Sequence, residues 1–486
     1  MNHELVTEQL SSDPDFVGDL VHVTPPAEAG NVSGFRSRNS PARLRPVSSA
    51  QVQHILRGMP AKAPGITLYP LSTGRNWGLG STEPVDDGSV ILDLVGMNVI
   101  RRLDPVMGVA VIEPGVTQGA LSRALEGTAW MLNVTASSSH TSVLGNALER
   151  GVGLRRQRTE DVIGLEVVLA DGTLLHVGAW PGETNTTPYA HGLGPGLLPL
   201  FVQSNLGVVT AAAVQLIHRP EVIRIAALHF APDQVETAVD ELRRLYSRGL
   251  AHGVLKIYSP AAVTAYGGEG KSHYAAFICT DGTSRVVDAA LADIEEAVQE
   301  SEVLYGFRCL SSEDTANDVV ADAVWHGYAG DPSRNDTMLE ASLGVPASRV
   351  DQDSDQGWLF FLPMLPFTGE AVERARQLLD QVTAETGIAC GMTVNGITTE
   401  LIDLVVTIRF PRTAGDTERA HRALGLLYDL FPSNGFVPYR VDIDHMGHVP
   451  RLRHDTSQSD LLQRLKTVLD PHQLLAPGRY LASPNS

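Results

Sequence analysis

Pro70-Leu-Ser-Thr-Gly-Arg-Asn-Trp-Gly-Leu-Gly80 follows the apolar run Ile66-Thr-Leu-Tyr69 and packs three glycines, two hydroxyls and an arginine into eleven residues. Glycines let several backbone N–H groups converge on one anion, and Ser72, Thr73, Arg75 and Asn76 add donors around Gly74. Such a loop suits a pyrophosphate, although by itself it reads equally well as a glycine-rich surface turn. Ala136-Ser-Ser-Ser-His-Thr-Ser-Val-Leu-Gly-Asn-Ala-Leu-Glu-Arg-Gly-Val-Gly153 is a second cluster of the same texture. It carries Ser139, His140, Ser142, Gly145 and Asn146 without strand or helix periodicity. A plain connector of that length would leave many backbone groups in need of partners. Two such stretches together point to a long phosphate-bearing cofactor that spans both.

Around these loops the chain reads as β-rich up to Pro220. Ser48 and Ser49 precede a short amphipathic helix carrying Val52, Ile55 and Leu56. Val90–Leu94 and Val109–Glu113 read as strands. Glu166–Ala170 and Thr173–Val177 read as a hairpin about Asp171-Gly172, a pair that tolerates the positive φ of a two-residue turn. Gly207–Ile217 closes the block. After Pro220, strand-like runs alternate with long amphipathic helices and the order recurs, which predicts a duplicated β-α-β arrangement with an antiparallel sheet and helices on one face. The polar stretch 310–356 reads as a long loop or insertion. A last helix carries Leu461, Leu462, Leu465 and Leu469 and leads to Leu474-Leu-Ala-Pro-Gly-Arg-Tyr480.

The chain has 486 residues and a formal net charge of −19, enough for two to four domains. With 43% hydrophobic and 19% charged residues it has a globular composition,. The acidic balance argues against nucleic acid and against an anionic membrane surface. No stretch approaches the ~18 apolar residues of a membrane span. Cys279, Cys309 and Cys390 are too scattered for a disulfide framework or a zinc site and read as buried free thiols in a reducing compartment. The acidic beginning of the chain lacks the order of a signal peptide, so a cytoplasmic location is expected. Gly192-Leu-Gly-Pro-Gly196 contains Pro195 and opens no amphipathic helix, so the Rossmann reading fails.

The sequence resembles the vanillyl-alcohol oxidase and p-cresol methylhydroxylase family of FAD-binding flavoproteins. The resemblance rests on Ser72-Thr-Gly-Arg-Asn76, Val111-Ile-Glu-Pro-Gly-Val116, Leu144–Gly153, Glu166–Gly172, Gln203–Thr210, Gly357–Gly369, Tyr439-Arg440 and Leu475-Ala-Pro-Gly-Arg-Tyr480, in the family's order. It implies an α+β, two-domain FAD-binding fold with an α+β cap of antiparallel sheet and helices. The expected division is a lead-in over 1–45, an FAD domain over 46–218, a substrate-binding cap over 219–449, and a segment over 450–486 that completes the flavin site. By the resemblance, Ser72 to Asn76 hold the pyrophosphate, Ser139, His140, Ser142, Gly145 and Asn146 pass beside the flavin, and Asn205, Val208 and Val209 lie toward the adenosine end. Arg479 belongs to the C-terminal part of the site. Tyr439 and Arg440 match the pair that faces a phenolic substrate and stabilises it as phenolate.

Three departures from the family's pattern bear on chemistry. Leu79 stands where a second phenol-facing tyrosine is expected, and Ser137 stands near the place of an acidic residue beside the flavin, so both are assigned to the substrate pocket. The flavin-linking histidine of the family falls in a stretch that here reads Ile402-Asp403-Leu404. Asn76 and Thr141 occupy the other attachment positions, so non-covalent FAD is expected. Asp442 and His445 are candidates for the acid or base that replaces the missing carboxylate; no metal site is expected. The implied activity is an FAD-dependent oxidase or dehydrogenase. It takes a hydride from a C–H beside oxygen, nitrogen or an aromatic ring of a small molecule, of specialised-metabolite type because the pocket departs from that for simple 4-alkylphenols. Dioxygen or another acceptor takes the electrons, and a homodimer is expected by analogy. The alternative is a flavin-fold protein without redox turnover that binds or cyclises its ligand.

Overall fold

The computed structural model describes residues 31–80, 82–182, 187–453 and 455–481. Residues 1–30 of the expected lead-in lie outside the described residues. Two sheets form the N-terminal block. Arg43–Leu44, Val90–Asp93 and Leu68–Leu71 pair in that order as a parallel sheet. Ile100–Asp104, Val109–Ile112, Val208–Gln215, Val162–Val168 and Leu174–Gly178 form an antiparallel five-stranded sheet. Helix Ser49–Lys62 starts where the Ser48 hydroxyl accepts from Gln51 N at 3.3 Å, and it buries Val52, Ile55, Leu56 and Met59. That stripe at i, i+3, i+4 and i+7 packs in one core with Leu68, Val90 and Leu92 of the parallel sheet and with Val168 and Val208 of the antiparallel one,.

The hairpin about Asp171-Gly172 forms, but its turn is longer than the two residues expected. Val168 pairs with Leu174, and Leu169 N bonds Thr173 O at 2.9 Å. Gly172 has φ +80° while Asp171 stays at negative φ. One left-handed residue fits a three-residue loop; a two-residue type I′ turn needs two.

The remainder of the chain builds an antiparallel eight-stranded sheet in the order Tyr305–Leu310, Val222–Phe230, Tyr274–Gly282, Leu255–Tyr258, Cys390–Gly396, Leu401–Pro411, Gln356–Pro366, Pro438–Arg440. Each half is a β-α-β-β-α-β unit, and the halves join where Leu255–Tyr258 pairs with Cys390–Gly396,. The long helices Val235–Ser247, Ser284–Glu300, Gly369–Thr386 and Ala414–Ser433 share one core with alternate strand residues such as Ala226, Leu228, Leu404 and Val406,. The first of these helices buries Val235, Val239, Leu242 and Leu245, each worth ~1.5–3 kcal/mol.

Helices do not lie on one face only. Residues 310–356, expected as a loop, contain helices Val319–Tyr328 and Ser333–Leu343. These pack Val320, Val324, Met338 and Leu339 against Ile225, Ala227 and Phe277, which point to the opposite face of the sheet. The polar surface of the stretch hid them, since Asp318 is spent on capping the backbone N–H groups of Val320 and Ala321,. Cys279 and Cys390 are buried free thiols, as expected, whereas Cys309 is exposed. Among the described residues, no helix is long and apolar enough to cross a membrane.

The C-terminal segment returns to the N-terminal block. Leu68 N donates to Leu474 O at 2.7 Å and Ala476 N to Leu68 O at 2.8 Å, which adds this segment beside the parallel sheet. Lys466 is buried, and its Nζ donates to Asn205 O (2.7 Å), Asp470 Oδ2 (2.6 Å) and Leu475 O (2.8 Å). One ammonium therefore ties the loop before Val208–Gln215 to the loop after Leu474.

Candidate functional site

The loop Ser72–Asn76 leaves the end of strand Leu68–Leu71 and meets the short helix Val143–Leu148. Thr73 Oγ1 accepts from Ser142 N at 3.0 Å. The Ser142 hydroxyl donates to Pro114 O at 2.6 Å and accepts from Gly145 N at 2.9 Å. The approach is so close that a Cβ on Gly145 would lie 2.4 Å from Ser72 Oγ. Gly74 turns the loop at φ +66°, a conformation glycine adopts without steric cost.

These loops line one cleft, the concave setting in which cofactors are bound. Of the residues expected to hold the cofactor, Ser72, Thr73, Gly74, Arg75, Asn76, Ser142, Gly145, Asn146, Asn205, Val208, Val209 and Arg479 line it, and so do Ser137, Thr141 and Arg440. Gln203 and Ala476 also line it and hold positive φ, 47° and 37°, the kind of backbone strain found at ligand sites.

Five residues expected at the site lie elsewhere. Ser139 and His140 do not line the cleft. Both the backbone N–H and the hydroxyl of Ser139 are bound by the Asp336 carboxylate of helix Ser333–Leu343, and His140 is exposed. Leu79 is buried in the 3₁₀ turn Trp77–Leu79, away from the cleft lining. Asp442 is fully buried as the cap of the turn Ile443–His448. Its carboxylate accepts from Asp444 N, His445 N and His445 Nδ1, and His445 stacks on Tyr428 at 4.2 Å. Capping ties the Asp442 carboxylate to His445 Nδ1, and neither residue lines the cleft.

Glu149, which sequence reading passed over, is central to the charge of the cleft. It accepts from Arg479 Nη2 at 2.9 Å and from the Tyr480 hydroxyl at 2.7 Å, with Arg440 Nε at 3.8 Å. Burial pushes the Glu149 carboxyl up, but Arg479, Arg440 and the hydrogen bonds outweigh it and hold the group below its usual range,. Tyr439 lines a second cavity with Gln203, Arg453 and Tyr480, and its hydroxyl is hydrogen-bonded to Arg440. Burial and the nearby Asp403 carboxylate push the Tyr439 phenol well above its usual range, with Arg440 opposing. Tyr439 is therefore a neutral hydrogen-bond donor at neutral pH.

Four buried polar atoms at the cleft have no hydrogen-bond partner among the described residues: Asn146 Oδ1, Asn205 Oδ1, Arg440 Nε and Arg479 Nη1. Leaving such atoms unpaired costs ~1–3 kcal/mol each, so their convergence fits a polar, phosphate-bearing ligand. Glycine-rich and hydroxyl-rich loops supply the rest of that donor set. Among the described residues, no group of three or more His, Cys, Asp or Glu is arranged to hold a metal.

Fold and cleft together define a flavin-binding protein. The FAD binding domain family matches residues 41–178. The chain is 29% identical to 1'-carboxy-chondrochloren decarboxylase of Chondromyces crocatus, over 99% of this chain and 98% of that one. It is 27% identical to the 4-cresol dehydrogenase [hydroxylating] flavoprotein subunit of Pseudomonas putida, over 85% and 83% of the two chains. The solved structure of p-cresol methylhydroxylase with substrate bound superposes with a TM-score of 0.84 at 23% identity, covering 100% of this chain and 97% of that one. The chain carries an FAD binding domain, has the fold of p-cresol methylhydroxylase and is an FAD-linked oxidoreductase.

Proposed function

We propose that the protein oxidises a small aromatic substrate by removing a hydride from a carbon beside the ring, with the cap residues 219–449 shaping the pocket over the FAD-binding parts 46–218 and 450–486. The observation that carries this reading is the placement of Arg440 at the cofactor cleft, with its Nε making no hydrogen bond among the described residues and Tyr439 held beside it as a neutral donor. Ser72 to Asn76, with Ser142, Gly145 and Asn146, would hold the pyrophosphate, and Asn205, Val208 and Val209 the adenosine end. Bound FAD supplies the two-electron acceptor. Arg440 and Tyr439 stabilise negative charge on a substrate oxygen, which raises the electron density of the ring and favours loss of hydride. Ser137 lines the cleft as a hydroxyl that donates to Thr141 Oγ1 at 3.0 Å, so the flavin-side wall carries no carboxylate there.

The similarity to a decarboxylase along the whole chain favours a second step for a substrate with a carboxylate on the carbon adjoining the oxidised one: the bond to the carboxylate breaks and CO2 leaves, the electron pair of that bond forms a C=C to the oxidised carbon, and the exocyclic pair returns to the ring as phenolate. Anaerobic mixing with phenolic substrates, with and without such a carboxylate, tests both steps. Bleaching of the flavin reports oxidation and released CO2 reports decarboxylation; an unchanged flavin spectrum with every phenol would leave the binding or cyclising alternative.

We further propose that FAD is held non-covalently. Asn76 and Thr141 line the cleft and form no such link, and Asp403 is buried in the strand Leu401–Pro411. Acid precipitation is expected to leave the yellow flavin in the supernatant, and colour retained in the washed pellet would refute the assignment. Free thiols without a disulfide support a cytoplasmic setting,. A homodimer is proposed by analogy with the family, with gel filtration as its check.

A further inference from the structure

A ladder of polar side chains crosses the middle of the eight-stranded sheet. Lys256 pairs with Asn395 and Asn395 pairs with Asp403, on three adjacent strands, and Met364 on the next strand pairs with Asp403. Directly paired residues point to the same face. This face is opposite the one carried by Leu404, Val394 and Ile257, which belong to the helix-covered core. Two strand residues farther along, Leu362 pairs with Arg440, so one strand separates Asp403 from the Tyr439-Arg440 pair.

Burial makes this ladder costly unless it has a use. Asp403 is 1% exposed and Lys256 5%. Asp403 Oδ2 accepts from Asn395 Nδ2 at 2.9 Å, and Asn395 Oδ1 accepts from Lys256 Nζ at 2.5 Å. Asp403 Oδ1 has no partner among the described residues. Met364 and Val405, on the same face of the sheet, are only partly buried although they sit in interior strands. A buried, half-satisfied carboxylate is a strained arrangement for a purely structural role.

We propose that Asp403 is the base that accepts the hydroxyl proton of the substrate, with Asn395 and Lys256 as positioning residues behind it. The inference rests on the oxidoreductase reading above. In the step, the substrate O–H bond breaks and its proton forms an O–H bond on Asp403 Oδ1. The substrate C–H bond breaks with its hydrogen and electron pair leaving together as hydride, for which bound FAD would be the acceptor, and the substrate is left two electrons more oxidised. Tyr439 stays protonated and cannot take this proton, while Ser137 has replaced the carboxylate on the flavin side. The charged and titratable groups that act on Asp403 are Lys256, Arg440, Tyr439 and Tyr266. Burial raises Asp403 to about 6, offset by the Asn395 hydrogen bond and by Lys256 and Arg440, which places it in the working range of a base near neutral pH.

The test uses the FAD-loaded enzyme with 4-nitrophenol as a non-reacting probe and 4-hydroxybenzyl alcohol as reductant. Binding of 4-nitrophenol to the wild type should produce the infrared band of a protonated carboxylic acid, absent in Asp403→Asn. Anaerobic flavin reduction should rise with pH through an inflection near 6 in the wild type. Asp403→Asn should be slowed ~10²-fold or more and lose that inflection, while Asp403→Glu keeps it. If Asp403 only neutralises Lys256, the double variant Asp403→Asn, Lys256→Met should recover wild-type rates; the proposal requires it to stay slow. Probe binding without a carboxyl band, a band that persists in Asp403→Asn, or recovery in the double variant overturns the assignment of Asp403 alone. A wild-type enzyme that neither binds the probe nor is reduced overturns the oxidoreductase reading and the base with it.

Discussion

Glu149→Ala is expected to destabilise the protein by about 1–3 kcal/mol, the usual cost of leaving buried hydrogen-bonding groups without a partner. Arg440 and Arg479 are buried and both reach Glu149 from the C-terminal part of the chain. Without the carboxylate, two guanidinium groups remain in a low-dielectric site, and the Tyr480 hydroxyl loses its acceptor. Arg479 lines the cofactor cleft, so its misplacement should also weaken FAD retention. Urea titration of the purified variant checks stability, and flavin absorbance after gel filtration checks retention. Because the Glu149 carboxyl is held below its ordinary value of 4.5, its stabilising contribution is complete at neutral pH and fades as pH falls through the lowered value. Glu149→Gln should therefore differ most from the wild type at neutral pH and converge with it in acid. Equal urea midpoints for wild type and Glu149→Ala at neutral pH would show that the two arginines are satisfied elsewhere.

Tyr439→Phe is expected to keep bound FAD and to slow anaerobic flavin reduction by ~10²-fold or more, the size of effect seen when a donor to developing negative charge is removed. The argument is local. Tyr439 remains protonated, its hydroxyl is hydrogen-bonded to Arg440, and its backbone carbonyl accepts from Gln203 Nε2 at 2.8 Å. The substitution removes the hydroxyl and leaves the backbone contact that keeps the strand in place. Arg440→Lys should be comparably slow, since an ammonium lacks the planar fork that can serve Glu149 and a substrate oxygen together. Unchanged reduction rates in Tyr439→Phe would return the pair to a structural role at the strand end.

What could be read along the chain was local. The Ser72–Asn76 and Ser142–Asn146 stretches announce themselves through their glycines, hydroxyls and arginine, and they reach one cleft because the first leaves the end of a strand and the second is the cap and first turn of a short helix. The alternation of strands and long helices after Pro220 was legible for the same reason, since a period of 2 or 3.6 is written into consecutive residues. Helices within 310–356 were not legible, because their apolar stripe faces a second surface of the sheet that no local pattern reveals.

The sequence by itself determined the glycine- and hydroxyl-rich loops of the cleft, the order of elements and the Tyr439-Arg440 pair, all of which depend on neighbours a few residues apart. Only the tertiary structure decided which polar groups are free to act. It spent Ser139 on Asp336, and Asp442 with His445 on a helix cap, and it brought Glu149 to Arg479 across 330 residues. It also aligned Lys256, Asn395 and Asp403 on one face through strand register. The physical reason is that a side chain's protonation and availability are set by burial and by partners at hydrogen-bond range. Those partners come from strands and helices distant in the chain, whose register no single stretch of sequence states.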